Sequence, residues 1–469
     1  MIFEQYYLEC LSQASYLIAD ETTGRAVVVD PRRDIEQYLD SAREHGVAIE
    51  LVIETHFHAD FLSGHLELAT ATGAQIGFGA SAKPEFAARA LHDGERISLG
   101  QVTLEILETP GHTPESISIA VYEHPDDAVP YGVLTGDTLF IGDVGRPDLL
   151  SSLGSTPDEL ANMLHHSLGA KLMTLPDSTR VFPGHGAGSA CGKNLSTDLS
   201  STIGEQRVSN YALQPMTRAE FVRVVTEGQV AAPDYFAFDA MRNREGHELL
   251  HELEQPMALT LDAALEHQRE GAILLDTRDA GAFATGHLVG SVSVGLEGRY
   301  AEYVGSLVHP DEQIVLLTEP GTELEAKVRL GRIGYDHVAG YVENLYEALL
   351  RRPDLVRSAS RLTVPAFEER HRTIPTLQVV DVRNPGETEN ASMPGAANIP
   401  LPRLRDGLRD LDPDLPTVVF CAGGYRSSIA ASLLRSVGFN DVSDILGGYH
   451  AWEAVQARKA SLNEESRVG

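Results

Sequence analysis

The chain has 469 residues, of which 42% are hydrophobic and 22% are charged, proportions typical of a folded protein and sufficient for about three domains. Acidic residues outnumber basic residues by 68 to 37, and the net charge of −31 argues against nucleic acid or an anionic membrane surface as a partner. Three dispersed cysteines, no signal-peptide pattern and no run of ~18 apolar residues predict a cytoplasmic protein without a disulfide framework.

The first 215 residues alternate short apolar runs with turns and a few helices. Residues 26–30 (AVVVD) predict a buried strand, and residues 97–107 predict a hairpin. Helices are predicted over residues 34–45 and 63–72, each ending before a glycine. This alternation predicts an α/β domain in which helices flank the sheets.

Three metal-binding side chains lie on one turn directly after an apolar run. Residues 49–54 predict a strand, and residues 55–65 (THFHADFLSGH) follow it with His56, His58 and Asp60 at alternate positions. Imidazole and carboxylate groups at this spacing are typical of a metal site at the carboxyl end of a strand. A polar surface turn is the alternative for this stretch taken alone.

Three later turns favour the metal site. Each follows an apolar run, contains glycine or proline, and carries one histidine or aspartate. They are the turns of His112 in residues 109–114, Asp137 in residues 134–140 and His185 in residues 181–186. Four separate loops are therefore expected to converge on one rim.

Together these motifs, in this order, resemble the metallo-β-lactamase superfamily, which implies an N-terminal αββα sandwich. The dinuclear zinc hydrolases of that superfamily, glyoxalase II among them, carry His-x-His-x-Asp-His, and the last histidine helps to hold the second metal. Phe61 stands at that position here. Asp60, His185 and a shared Asp137 would then be a poor set of ligands for a second metal ion, so a mononuclear centre is predicted.

The chain also resembles the persulfide dioxygenases of this superfamily, which hold one Fe(II) with two imidazoles and one carboxylate. This set leaves positions open for O2 and substrate. The resemblance implies three iron ligands, His56, His112 and Asp137. It also implies three residues that orient those ligands and tune the metal, His58, Asp60 and His185.

Arg146 follows the Asp137 turn closely enough to face the predicted centre. By the resemblance it holds the carboxylate of a low-molecular-weight thiol; a surface salt bridge is the alternative. Glutathione-dependent relatives usually carry an Asp-Tyr pair after the Pro-x-His turn, whereas residues 186–194 here are GAGSACGKN. The thiol therefore stays open, and Cys191 is either a sulfur acceptor near the iron or a structural thiol.

A charged segment and an internal repeat follow. Residues 216–257 are predicted to be helical, with a turn at residues 232–236, and to complete a first domain, residues 1–257. Residues 274–278 (LLDTR) and 379–383 (VVDVR) then repeat at a spacing of 105 residues. Units of ~100 residues are domain-sized, so two small parallel-sheet α/β domains are predicted, residues 258–355 and 356–469.

The second copy carries a cysteine between a predicted strand, residues 416–420, and a helix expected from about Ser428. Backbone N–H groups and the helix dipole stabilise a thiolate at such a position. The loop, residues 421–427, reads CAGGYRS, and GGYHAW follows at residues 447–452; both resemble the rhodanese family.

The rhodanese resemblance implies Cys421 as the sulfurtransferase nucleophile. Gly423 and Gly424 let the backbone curl around a bound sulfur, and Arg426 supplies a cation for an anionic donor such as thiosulfate. A buried, inert thiol is the alternative for Cys421.

The first copy lacks these groups. After its predicted strand, residues 314–317, Thr318 stands at the cysteine position and Glu323 at the arginine position. A hydroxyl cannot carry a sulfane sulfur, and a carboxylate reverses the charge that an anionic donor needs. The first copy is therefore predicted to be a degenerate rhodanese-like domain.

The resemblance to dioxygenase–rhodanese fusions covers essentially the whole chain. It implies an enzyme with one Fe(II) that oxidises a thiol persulfide with O2 to sulfite and free thiol, coupled to sulfur transfer among thiosulfate, sulfite and persulfide. The alternatives are a dinuclear zinc thioesterase of glyoxalase II type and a non-catalytic sulfur carrier or scaffold. A homo-oligomer is expected from the general frequency of twofold assemblies.

Overall fold

The computed structural model describes residues 1–149, 154–229, 232–389 and 391–468. Its contacts divide the chain into two compact units, Met1–Glu252 with Gly331–Gly334, and Leu253–Leu330 with Tyr335–Gly469. Within the described ranges, no helix is both long enough and apolar enough to cross a bilayer. The three predicted domain boundaries stay predictions.

The first unit contains two six-stranded sheets. The first sheet has its strands in chain order: β1 Ile2–Leu8, β2 Gln13–Asp20, β3 Arg25–Val29, β4 Ala48–Ile53, β5 Gln75–Gly79 and β6 Arg89–Leu91. The second sheet also follows chain order, with β7 Arg96–Ser98, β8 Thr103–Glu108, β9 Ile117–Tyr122, β10 Gly132–Gly136, β11 Arg180–Pro183 and β12 Ser201–Thr202. The helices are α1 Glu36–His45, α2 His65–Thr72, α3 Pro157–Ala170, α4 Ile203–Ser209, α5 Arg218–Thr226 and α6 Tyr235–Glu245.

The predicted αββα sandwich is confirmed by the way the sheets bury their faces. On β2, Tyr16 and Ile18 belong to the core between the two sheets, whereas Leu17 and Ala19 belong to the core beneath α1 and α2. A third core lies on the outer face of the second sheet against α3, α4 and α5. Because both faces of the central strands are covered, these strands are continuously apolar rather than alternating.

The helix predicted over residues 216–257 is wrong in its last third. The structure forms α5 and α6, and α6 ends at Glu245. Gly246 has φ 97° and ψ 163°, a conformation that leaves the helix and that glycine adopts at low cost. The helices predicted over residues 34–45 and 63–72 begin two residues later than expected, and the β7–β8 hairpin forms as predicted.

The second unit contains two parallel five-stranded sheets. The first has the order β13-β18-β17-β14-β16, with β13 Ala258–Leu259, β14 Ile273–Asp276, β16 Val292–Ser293, β17 Ile314–Leu317 and β18 Val338–Val342; β15 His287–Leu288 pairs separately with β19 Val356–Arg357. The second has the order β20-β24-β23-β21-β22, with β20 Ser360–Leu362, β21 Gln378–Asp381, β22 Ala397–Asn398, β23 Thr417–Phe420 and β24 Val442–Ile445.

Helices connect the strands of these sheets. In the first they are α7 Leu261–Arg269, α8 Ala280–Thr285, α9 Tyr300–Gly305, α10 Glu323–Gly331 and α11 Leu345–Arg351. In the second they are α12 Val364–Thr373, α13 Pro385–Thr388, α14 Leu404–Gly407, α15 Tyr425–Ser436 and α16 Gly448–Val468. Helices on a parallel sheet are the crossover connections that parallel strands require.

The sequence repeat has a structural counterpart. Each sheet contains a buried aspartate–arginine pair two residues apart, with 2.6 Å between Arg278 and Asp276 and 2.7 Å between Arg383 and Asp381. Asp276 pairs in register with Leu317, and Asp381 with Phe420. The residues that follow these partners, Thr318 and Cys421, are therefore equivalent.

Candidate functional sites

The four predicted metal-site loops converge in the first unit. His56 and His58 follow β4, His112 lies between β8 and β9, and Asp137 and His185 follow β10 and β11. All five side chains are buried. Ligand atoms of His56, His112 and Asp137 lie within 4.8 Å of one another, the arrangement of a group that could hold one metal ion.

Three atoms of this cluster lack ordinary hydrogen-bond partners in the described part of the chain. Nε2 of His56 and Nε2 of His112 lie 3.9 and 3.5 Å from Oδ2 of Asp137. Nε2 of His56 and both carboxylate oxygens of Asp137 are buried and have no hydrogen-bond partner among the described residues. Buried polar atoms are normally paired, so this cluster fits a metal ion bound between its members.

The other ring nitrogen of each predicted imidazole ligand is occupied. Nδ1 of His112 donates to the carbonyl oxygen of Arg146 at 2.8 Å. Nδ1 of His56 lies 3.0 Å from Oγ1 of Thr55, whose one proton goes to Asp30 Oδ2 at 2.8 Å. His56 must therefore donate to Thr55. These contacts leave the Nε2 lone pairs free for a metal, the tautomer that such partners select.

Burial keeps both imidazoles neutral. It lowers the pKa of His56 well below its ordinary value, and the neighbouring His58 and His112 add to the effect. Burial also lowers the pKa of His112, although Asp137 opposes it. A neutral imidazole is the form that binds a metal ion.

His58 is held by a different set of residues. Its Nε2 lies 3.1 Å from Oδ1 of Asp30 and 3.3 Å from Oε2 of Glu54. Burial alone would lower the pKa of His58, but these carboxylates outweigh it and raise that pKa well above its ordinary value. The ring of His58 lies 4.1 Å from that of His56, so an imidazole held by two carboxylates borders the predicted ligand.

Asp60 and His185 lie on the other side of Asp137. Nε2 of His185 is 3.5 Å from both Oδ2 of Asp60 and Oδ1 of Asp137. Cys191, which the sequence analysis left open, joins them: its sulfur lies within 4.8 Å of the ligand atoms of Asp137 and His185. Burial and the carboxylates of Asp60 and Asp137 raise the pKa of the Cys191 thiol. The second set is therefore larger than the sequence analysis predicted.

Arg146 forms a salt bridge, which was the alternative prediction for this residue, but its side chain is buried rather than at the surface. Its Nε and Nη2 donate to the two carboxylate oxygens of Asp148 at 2.7 and 2.8 Å, and Nη1 donates to the carbonyl oxygen of Ala190. The side chain is 3% exposed. The structure thus assigns to Arg146 an ion pair and, through its carbonyl group, the orientation of His112.

Cys421 lies between β23 and α15, as predicted, but the helix begins at Tyr425 rather than Ser428. The N–H of Gly424 donates to the Cys421 sulfur at 3.1 Å, and the residue has φ 102°, which favours glycine. A Cβ on Gly423 would meet no atom within 4 Å, so open space borders the loop there.

Arg426 is not a free cation. Its Nη1 and Nη2 each donate to a carboxylate oxygen of Glu387 at 2.7 Å. Burial lowers the pKa of Arg426, but the carboxylate outweighs it and raises that pKa. Sequence reasoning missed Glu387 because it is 39 residues away, on α13, outside the loop motif.

The degenerate loop closes on itself. Thr318 is buried, and Oε1 of Glu323 accepts a hydrogen bond from the N–H of Gly321 at 3.0 Å. The carboxylate at the arginine position thus binds its own loop. This geometry fits the prediction that the first copy carries no sulfur.

Two family models match the chain. The model described as the metallo-beta-lactamase superfamily matches residues 8–185, and the model described as a rhodanese-like domain matches residues 365–455. A crystal structure of a metallo-beta-lactamase from Staphylococcus aureus subsp. aureus COL is 34% identical, covers 72% of this chain and 98% of its own, and has a TM-score of 0.66.

Curated relatives match up to about half of the chain. "Persulfide dioxygenase ETHE1, mitochondrial" from Bos taurus is 28% identical, over 49% of this chain and 82% of its own length. "Hydroxyacylglutathione hydrolase cytoplasmic" from Arabidopsis thaliana is 33% identical, over 38% of this chain and 66% of its own length. For two of its curated relatives the chain spans only 52% and 66% of the relative's length.

Proposed function

Since residues 8–185 belong to the metallo-β-lactamase superfamily and residues 365–455 form a rhodanese-like domain, we propose that the chain is a persulfide dioxygenase fused to a sulfurtransferase. The first activity oxidises the outer sulfur of a low-molecular-weight thiol persulfide to sulfite, with two oxygen atoms from O2 and one from water, and releases the thiol and two protons. The second moves sulfane sulfur through Cys421.

The donor set supports an iron centre. His56, His112 and Asp137 would hold one Fe(II), which supplies open coordination positions and the redox chemistry for joining O2 to a persulfide sulfur. Their free ligand atoms meet, and the contacts with Thr55 and Arg146 aim the two imidazoles. One metal ion per chain is proposed.

The observation that carries the proposal is the position of His58. The motif of residues 55–65 makes His58 a candidate for a further metal ligand, but Asp30 and Glu54 hold its Nε2 at 3.1 and 3.3 Å. With His58 engaged there, two imidazoles and a carboxylate remain for the first ion. This is the facial set typical of non-haem Fe(II) oxygenases rather than of a hydrolytic zinc site.

The Cys421 loop supports thiosulfate-linked chemistry. The Cys421 thiolate would attack the outer sulfur of thiosulfate, forming a cysteine persulfide and releasing sulfite, which takes the bonding electron pair. A thiol acceptor then receives the sulfur and regenerates the thiolate. The Gly424 N–H is already directed at the Cys421 sulfur and would stabilise it in either form.

One observation favours a second candidate, a dinuclear zinc thioesterase. Cys191 joins Asp137 and His185 in a group that could hold another ion, and Asp60 lies beside it. A thiolate is a good zinc ligand, so this set could replace the imidazole that Phe61 removes. The similarity to the Arabidopsis thaliana hydroxyacylglutathione hydrolase points the same way.

Metal content measured together with oxygen uptake on a thiol persulfide decides between them. The dioxygenase predicts one iron per chain and oxygen uptake that rises with iron occupancy. Two zinc ions per chain, thioester hydrolysis and no oxygen uptake would establish the hydrolase instead. Thiosulfate:thiol sulfur transfer, measured on the same protein, tests the Cys421 site separately.

A further inference from the structure

Tyr425, the residue before Arg426, contacts the other parallel-sheet domain of its unit. Its hydroxyl oxygen lies 2.8 Å from the carbonyl oxygen of Gly295 and 3.0 Å from that of Glu297, and it shares one proton between them. Both acceptors follow β16, in the domain that has Thr318 at the cysteine position. The degenerate domain thus anchors a residue of the Cys421 loop.

The same segment of the degenerate domain, residues 293–297, runs along helix α15. The N–H of Ser293 donates to Oγ of Ser432 at 2.8 Å, and both residues are buried. At Gly295 the backbone passes close to the Tyr425 ring, because a Cβ there would lie 3.7 Å from a ring carbon. Contacts at Tyr425 and Ser432 hold the first two turns of the helix that follows Cys421.

Tyr303, on α9 of the degenerate domain, reaches the same place. Its ring meets that of Tyr425 edge-on, with centroids 5.4 Å apart and an interplanar angle of 68°. Burial chiefly raises the pKa of Tyr303; Arg426 lowers it, and Cys421 raises it. The Tyr303 phenol therefore lies in the electrostatic environment of the reacting cysteine.

The catalytic loop needs such support. Gly423 and Gly424 have no side chains to fix the backbone, yet the Gly424 N–H must point at the Cys421 sulfur. Donors aimed at a reacting atom are effective only when they are held in place before the reaction. Tyr425 is the first residue after these glycines whose side chain can fix the loop, and its hydroxyl binds the degenerate domain.

We propose that the degenerate domain completes the sulfurtransferase site: Gly295 and Glu297 anchor the Cys421 loop through Tyr425, and Tyr303 forms the adjoining wall. This inference rests on the proposed sulfur transfer at Cys421. Tyr425 is a positioning residue, and it acts through the direction of the Gly424 N–H. The domain without a nucleophile is then required for the activity of its neighbour.

Tyr425→Phe in the full chain tests the anchor. Losing one hydrogen bond that holds the loop should lower kcat for thiosulfate:thiol transfer by about three- to tenfold. The pH profile of Cys421 alkylation, followed by mass spectrometry of its peptide, should move to higher pH because the thiolate loses an aligned donor. Tyr346→Phe is the matched control. It removes a hydroxyl that donates to Glu319 within the degenerate domain, and it should change neither kcat nor the alkylation profile.

Gly295 offers a second, independent pair of variants. In Gly295→Ala the new Cβ meets Arg278 O at 3.5 Å and the Tyr425 ring at 3.7 Å, ordinary contact distances, so activity should persist. Gly295→Leu places further atoms where the Tyr425 ring lies and should reproduce the effect of Tyr425→Phe. A thermal unfolding scan of each variant shows whether the fold is retained.

The inference is overturned if Tyr425→Phe and Gly295→Leu both fold and keep the wild-type kcat and alkylation profile. Wild-type protein without any sulfur transfer would instead overturn the proposed activity. The alkylation profile would still decide the inference in that case, since it reports the Cys421 environment without turnover.

Discussion

The ring of Phe61 packs against the imidazole of His58, with 4.4 Å between their centroids. Phe61 is fully buried and offers no metal ligand at the position where the motif of dinuclear hydrolases carries an imidazole. An apolar ring thus packs on His58, a ligand atom of which lies within 4.8 Å of the ligand atoms of Asp60 and His185. This pair of residues bears directly on the number of metal ions.

Phe61→His should therefore raise metal binding at the second set. The new imidazole adds a ligand beside Asp60 and His185, so zinc stoichiometry measured after reconstitution should rise from about one toward two ions per chain. Phe61→Leu, which keeps the site apolar, is the control. Equal zinc content in both variants would mean that Phe61 does not limit the second site.

Removing any ligand of the proposed iron should abolish binding and turnover together. His56→Ala, His112→Ala and Asp137→Ala each leave two protein ligands, so metal content and oxygen uptake should fall in parallel. His124→Ala, an exposed histidine, should change neither. Thr55→Val removes the hydroxyl that orients His56, together with its hydrogen bond to Asp30, and should weaken metal affinity by about 10- to 100-fold. A ligand variant with full iron content would contradict the assignment.

Glu387→Gln should improve the use of thiosulfate. Glu387 neutralises Arg426 through two hydrogen bonds, so removing its charge strengthens the attraction of the site for an anionic donor. KM for thiosulfate should fall about two- to fivefold, the scale of a partly exposed charge pair. The gain should shrink at high ionic strength; a KM that rises at every salt concentration would show that Glu387 mainly orients Arg426.

The pH dependence of this effect follows from Glu387. Burial opposes its ionisation, but the Arg426 pair outweighs burial and lowers the pKa of Glu387. The carboxylate therefore stays charged throughout the neutral range and gains a proton only below its ordinary range of about 4. The difference in KM between wild type and Glu387→Gln should thus be constant from about pH 6 to about pH 8, because Glu387 does not change its charge in that range. A difference that disappears within that window would contradict a depressed pKa.

Cys421→Ser should separate the two activities. The substitution removes the nucleophile and leaves the proposed iron ligands intact, so oxygen uptake on a persulfide should persist while products shift from thiosulfate toward sulfite. With thiosulfate and thiol as substrates, the same variant should consume almost no oxygen. If neither product ratio nor thiosulfate-dependent uptake changes, Cys191 is the next thiol to substitute, because it lies beside Asp137 and His185.

The degenerate loop should take no sulfur. After incubation with thiosulfate, mass spectrometry should find a gain of one sulfur on the Cys421 peptide and none on the peptide spanning residues 318–323. Thr318→Cys is an informative variant, since it restores a thiol but leaves Glu323 bound to its own loop. Sulfur on the wild-type 318–323 peptide would show that this copy is not inert.

Patterns local in the chain were readable from the sequence. The alternation of apolar strands with glycine-ended helices predicted an α/β domain, and the resemblance of the metal-site motifs implied the αββα sandwich. A strand, a glycine-rich loop and a helix in succession predicted the Cys421 site. Alignment of the two strands placed Thr318 at the position of Cys421, and the strand register agrees. Such features depend on neighbours in sequence, which is why they could be predicted.

Partners from distant parts of the chain were decided only by the tertiary structure. Glu387 neutralises Arg426 from another helix, and Asp30 lies 3.1 Å from Nε2 of His58. Tyr425 finds its acceptors about 130 residues earlier, at Gly295 and Glu297, a separation that no local pattern encodes. Each of these contacts pairs a polar or charged group that is at least partly buried, and burial favours such pairing without specifying which residue supplies it. Tertiary packing determines which residue becomes the partner, so the partner is known only from the folded structure.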